Sequence, residues 1–146
     1  MHYIYIQQEF SQSVAQVFSK LADHECLGQI MGADIQRTVD APGENPNGLG
    51  SVRRIRAFPA PDFEETITKY IENEEIQYRV TRGSPVKEHL GTLLFFPTEQ
   101  GCRLEYSIQF EPRLAIPLWG RMLRFAIRFP IQKGLRALAS KPLSKA

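Results

Sequence analysis

Two cysteines in 146 residues, Cys26 and Cys102, are too few for a disulfide scaffold, and with no CxxC pair they supply no zinc site. Both are expected as reduced, part-buried thiols, and a reducing cytoplasm is the expected compartment. No uncharged apolar run reaches the ~18 residues that a membrane span needs. The most apolar stretch, Leu114 to Ile131, is interrupted by Arg121, Arg124 and Arg128. Met1-His2-Tyr3 leads straight into an alternating segment, without the charged and long apolar regions of a signal peptide. A phosphate-binding glycine loop and a nucleophile paired with a base are also missing. His24-Glu-Cys26 falls on consecutive helical positions whose side chains diverge, and His2 and His89 share no ligand spacing with it. Neither a metal nor a cofactor is expected.

Acids are missing from one end of the chain. After Glu111 there are only bases: Arg113, Arg121, Arg124, Arg128, Lys133, Arg136, Lys141 and Lys145. That segment carries +8, which leaves −6 on the residues before it for a net charge of +2. Such asymmetry fits an anionic partner, or a basic helix lying on an acidic body. Hydrophobic residues make up 42% and charged residues 23%, with 10 Gly and 10 Pro, as in one globular domain over residues 1–146. A chain of this length buries about 70% of its unfolded surface, enough to fold without staples.

Tyr3 to Phe10 reads as a strand with large side chains in both phases of its alternation, as if covered on both faces or central in a sheet. Ser11-Gln-Ser13 then offers helix caps, and Val14, Val17, Phe18 and Leu21 follow at helical spacing. A second short helix is expected over Asp23 to Met31, stopped by Gly32. Ile35–Val39 is a brief strand. Leu49–Phe58, Phe63–Ile71, Ile76–Thr81, Val86–Phe96 and Cys102–Phe110 then read as successive hairpins. The last element, Pro117 to about Ala139, is a long amphipathic helix with Leu118, Met122, Phe125 and Phe129 on one line and Arg121, Arg124 and Arg128 on another. Pro130 shifts the apolar line to Ile131, Leu135 and Leu138, which predicts a kink. The fold class is α+β: a curled antiparallel sheet of about seven strands gripping the long helix. Such a grip can leave a cavity, which a close-packed protein keeps chiefly for a ligand.

A hairpin joining Leu49–Phe58 to Phe63–Ile71 through Phe58-Pro-Ala60 sets Ala57 opposite Pro61, Ile55 opposite Phe63, Arg53 opposite Glu65 and Ser51 opposite Ile67 on one face. Arg56–Asp62, Arg54–Glu64 and Val52–Thr66 fall on the other, which suits water. The first face is inward by its Ile55, Phe63 and Ile67, and it carries an Arg–Glu pair into apolar surroundings. Burying such ions costs several kcal/mol each before their attraction counts. Two readings stay open: Arg53 and Glu65 orient a polar ligand group or move a proton, or they form a structural cross-strand pair at a cavity mouth. His89, in phase with Gly91, Leu93 and Phe95, is expected to face inward as a wall residue.

These residues, in this order, resemble the START-like helix-grip superfamily (SRPBCC), which includes polyketide cyclases and dehydrases and lipid carriers. The resemblance rests on Ser13-Val-Ala-Gln-Val-Phe and Leu21-Ala-Asp23, on Gly48-Leu-Gly-Ser-Val-Arg53 leading to Glu65, and on Tyr78-Arg-Val80. Leu93-Leu-Phe95-Phe-Pro97 and Tyr106 with Phe110-Glu-Pro112 extend it over nearly the whole chain. It implies that Arg53 and Glu65 line a cavity and that Phe58-Pro-Ala-Pro-Asp62 is similar to a mobile gate. Where several relatives carry a cavity Tyr near Val86, this chain has His89.

The expected function is binding or transport of a small hydrophobic molecule (lipid, isoprenoid or polyketide-like) in a cavity lined by Ile55, Phe63, Ile67, Tyr78, His89, Leu93, Phe95, Met122 and Phe125. The alternative is a small cyclase, dehydratase or isomerase that uses Glu65 for proton transfer beside Arg53 as an electrostatic clamp. Nucleic acid is not an expected partner, since the bases lie on one helix without an aromatic platform. Contact of that helix with a membrane surface is weighed below the reading of a solvated basic face, because the acidic body opposes it. The sequence leaves the oligomeric state open.

Overall fold

The first strand, β1 (His2–Phe10), turns Ile4, Ile6 and Phe10 into the core and leaves Tyr3 and Tyr5 in solvent. In this computed structural model, which describes residues 1–56, 61–83, 86–113 and 118–141, β1 lies at an edge of the sheet rather than at its centre. Tyrosine suits a strand's wet face as well as its dry one, so large residues in both phases did not require double burial.

Two short helices follow, α1 (Val14–Ala22) and α2 (His24–Met31). Ser13 and Gln16 cap α1 reciprocally: the Ser13 hydroxyl accepts from the Gln16 N–H at 3.2 Å, and the Gln16 side chain accepts from the Ser13 N–H at 2.9 Å. The Asp23 carboxylate caps α2 by accepting from the Cys26 N–H at 2.9 Å, and Gly32, at φ 68°, ends it in the left-handed region.

The remaining strands are β2 (Asp34–Val39), β3 (Val52–Arg56), β4 (Phe63–Ile71), β5 (Glu75–Arg82), β6 (Val86–Pro97) and β7 (Cys102–Pro112). With β1 they form one antiparallel seven-stranded sheet in the order β1-β7-β6-β5-β4-β3-β2. The β3–β4 register is the one the sequence predicts: Val52 opposite Thr66, Arg53 opposite Glu65, Arg54 opposite Glu64 and Ile55 opposite Phe63. The Ile67 N–H donates to the Ser51 carbonyl at 3.0 Å, which extends the pairing one step. Residues 57–60, with most of the gate-like loop, lie outside the described residues.

The long helix α3 (Trp119–Ala139) runs through Pro130 and buries Gly120, Leu123, Gly134, Leu135 and Leu138. Its expected first residue, Pro117, lies outside the described residues. Gly134 lets α3 approach α2 closely, since a Cβ there would sit 2.4 Å from the Ile30 carbonyl oxygen. At the helix end the buried Gln12 side chain donates to the carbonyls of Leu138 (2.9 Å) and Lys141 (3.2 Å), tying α3 to the end of β1.

Beyond Pro130 the helix buries Leu135 and Leu138, the line the sequence predicts there, but before Pro130 it faces inward with a different side from the expected one. Met122 and Phe125, read from sequence as cavity lining, stand 60% and 69% exposed, and Leu118 and Phe129 are exposed with them. The helix has two apolar lines at helical spacing, and spacing alone does not say which turns inward. The buried line is the one that also carries Gly120 and Gly134, where the missing side chains make room for the His2 ring of β1 and the Ile30 backbone of α2.

Candidate functional site

Arg53, Glu65, Tyr78, His89 and Tyr106 share the inner face of the sheet because each sits in the buried phase of its strand. Arg53 reaches across the ladder and gives two hydrogens to one Glu65 oxygen, from Nη2 at 2.8 Å and Nε at 2.9 Å. The two side chains are only 4% and 8% exposed. Burial works against the Arg53 charge, and the neighbouring Glu65 outweighs it, so the guanidinium stays protonated.

The Arg53 guanidinium also lies over the Tyr78 ring, 4.6 Å from its centre. Tyr78 can lie there because its cross-strand partner is Gly91. A Cβ at Gly91 would stand 2.2 Å from the Tyr78 ring, so only glycine leaves room for it. The phenol then extends over β6 and hydrogen-bonds the hydroxyl of Tyr106 on β7. Burial first, reinforced by Glu65, raises both phenols above their usual range, and both remain protonated donors at neutral pH. His89 packs beside Tyr78 with ring centres 5.3 Å apart. Burial lowers its pKa, and its Nδ1 has no hydrogen-bond partner among the described residues.

Sequence reasoning dismissed His24 as a metal ligand and did not give it another role. It is fully buried on α2 and bridges Ser51 and Arg53: Nε2 lies 2.9 Å from the Ser51 hydroxyl, and Nδ1 lies 3.4 Å from Arg53 Nη1. Arginine has only hydrogens to offer, so Nδ1 accepts and Nε2–H donates to Ser51. Burial, and then the Arg53 charge, push the His24 pKa down to about 3, so the ring is neutral. This tautomer cannot take a proton from Ser51, and the Ser–His pair is therefore no nucleophile with its base. His24 instead holds the guanidinium from behind. Its signal in the sequence was its place one turn before Leu27 and Gly28, the buried face of α2. Ser51 and Tyr106 carried a similar signal, lying in phase with Arg53 and with Ile108.

Of the other expected lining residues, Ile55, Ile67, Leu93 and Phe95 are buried and Phe63 is half-buried, whereas Met122 and Phe125 are turned out. A cleft of about 250 Å³ opens elsewhere, between α1, the segment at Asn45 and Asn47, and the end of β4 at Tyr70. It involves none of the expected lining residues.

Residues 1–141 match the family model described as polyketide cyclase / dehydrase and lipid transport. The chain belongs to that family. Solved structures place this family member among helix-grip folds. The protein XoxI from Bacillus cereus is 17% identical with a TM-score of 0.73, over 95% of this chain and 94% of that one. MLL2253 from Mesorhizobium loti is 12% identical with a TM-score of 0.71, over 97% and 100% of the two chains. Ara h 8.0201 is 14% identical with a TM-score of 0.68, over 96% and 99%. At these identities the likeness concerns the fold. No curated protein sequence matches the chain significantly. Family and fold together fit a helix-grip protein that binds a hydrophobic ligand.

Proposed function

We propose that this protein binds one small, mainly apolar molecule on the concave side of its sheet, with the molecule's single polar end against the Arg53–Glu65–Tyr78–Tyr106 cluster. The observation that carries this reading is a polar network of opposite charges and protonated phenols set among Ile55, Ile67 and Leu93, where a folding requirement alone would favour apolar side chains. Arg53 and Glu65 neutralise each other, so the cluster suits an uncharged end such as a carbonyl or hydroxyl. The unpartnered Nδ1 of His89 adds a further hydrogen-bonding atom beside it, donor or acceptor according to the ring's tautomer. Lipid, isoprenoid and polyketide-like molecules all have this form.

A second reading, proton-transfer catalysis of the cyclase, dehydratase or isomerase type, is favoured by one feature: a carboxylate beside two phenols that stay protonated. Glu65 would move the proton while the phenols stabilise a developing oxyanion. Native mass spectrometry of protein purified from its own host tests the first reading by showing a retained molecule. That molecule, added at about 100 times its dissociation constant, should stabilise the fold by about 2.7 kcal/mol, and Ile67→Trp should abolish the gain. If lipids, sterols, isoprenoids and aromatic polyketides shift neither form, the ligand reading fails. Glu65→Gln then separates the two. A positioning carboxylate loses affinity worth about 1.5–3 kcal/mol or less. A proton-transferring one keeps binding and loses about 100- to 10,000-fold in turnover.

A further inference from the structure

The outer face of α3 is apolar where a helix on a protein surface should be polar. Leu118, Met122, Phe125 and Phe129 are 66%, 60%, 69% and 55% exposed, and the rings of Phe125 and Phe129 stack with centres 5.7 Å apart. At helical spacing the four fall within about 60° of one another, opposite the face that Leu123 and Leu138 bury. Arg121, Arg124 and Arg128 line the adjoining stripe in solvent, and none of the three has an ion-pair partner among the described residues. The helix carries no acid at all.

We propose that this face docks the protein on an anionic lipid surface, with Met122, Phe125 and Phe129 entering the boundary between headgroups and acyl chains and the three arginines meeting lipid phosphates. A bilayer offers an apolar layer bordered by negative charge, the complement of this pairing of stripes. A second copy of the chain fits less well. A symmetric contact would set two basic helices against each other, and four side chains on one helix fall short of the ~800 Å² per partner of a stable interface. The net −6 on the residues before the basic segment confines the contact to this side, since the rest of the molecule is repelled by the same surface. The inference is independent of what the concave face binds.

Co-sedimentation with vesicles of phosphatidylcholine, alone or with about a third phosphatidylserine, tests it. The wild type is expected to bind the anionic vesicles, less as salt rises, and to leave the neutral ones. Changing Arg121, Arg124 and Arg128 together to Gln should weaken binding by about 100-fold, at roughly fivefold per charge. Phe125→Ser with Phe129→Ser should weaken it while the arginines remain. All five side chains are exposed, so melting temperatures should stay unchanged and report that the variants are folded. Absence of wild-type binding at low ionic strength, or binding that neither variant reduces, overturns the proposal. So does a lipid-free dimer that the two serine substitutions dissociate, which would assign the face to a second copy.

Discussion

The β3–β4 ladder holds two arginine–carboxylate pairs whose surroundings differ, and replacing one member of each gives opposite expectations. Arg53–Glu65 is buried, at 4% and 8% exposure, whereas Arg56–Asp62, joined at 2.9 Å, is 53% and 50% exposed. Arg53→Met removes the cation and leaves the Glu65 carboxylate among Ile55, Ile67 and Tyr78. Breaking a buried pair this way costs about 3–5 kcal/mol, a large share of the ~7–22 kcal/mol that holds a chain of this length together. At roughly 2–4 °C per kcal/mol, the melting temperature should fall by about 6–20 °C. Asp62→Asn removes a pair in water and should cost under about 1 kcal/mol. Adding Glu65→Leu to Arg53→Met removes the stranded charge, so the double variant should recover most of the loss, although it also gives up the contacts of Arg53 with His24 and Tyr78. Urea denaturation of the wild type and these three variants measures the differences. If Arg53→Met costs no more than Asp62→Asn, the pair is solvated and the account of a dry, charged cluster is wrong.

Two further expectations follow from the same cluster. His24, with a pKa near 3, and His89, also lowered, are neutral in the folded protein, whereas in the unfolded chain both take up protons below about 6.5. Their contribution is therefore complete above that pH and is lost as pH falls from it towards the folded values, by up to about 1.4 kcal/mol per pH unit for each. Urea titrations between about pH 6.5 and 5 should show this slope, and His24→Gln should reduce it; an unchanged slope would mean that His24 titrates in the folded state. Gly91→Ala should displace Tyr78 from β6 and break its hydrogen bond to Tyr106, which lowers stability by about 1–3 kcal/mol and weakens any bound ligand. A fully stable Gly91→Ala variant with ligand affinity intact would show that the Tyr78 position is not essential.

Much of the fold was legible because local and long-range signals agree. Ser13 with Gln16, Asp23 and Gly32 mark helix ends through backbone hydrogen bonds, which depend on a few neighbouring residues. The β3–β4 register followed because a slip of β3 by one residue would have sent Ile55 into water and Arg54 and Arg56 into the core. Arg53 and Glu65 were legible for the same reason. The facing of α3 before Pro130 was not, although Leu135 and Leu138 beyond it are buried as their spacing predicts. Its two apolar lines differ little in periodicity, and the choice between them depends on where glycine lets α2 and β1 come close. His24 was missed because its partners Ser51 and Arg53 lie on another element, a pairing that spacing along one helix cannot reveal.

The pairing of β1 with β7 also bears on how the chain comes together. His2 lies opposite Phe110 and Phe10 opposite Cys102, so the first strand to be synthesised finds its partner only after some hundred residues more have been made. The meander from β4 to β7 can form by successive short-range closures, whereas closing β1 onto it requires a loop spanning nearly the whole sheet. Ile4, Ile6 and Phe10 therefore wait unpaired through most of synthesis. The β7 edge, once made, stays open until β1 docks, and it is the part of the chain at which another strand can add and where aggregation or chaperone binding will concentrate.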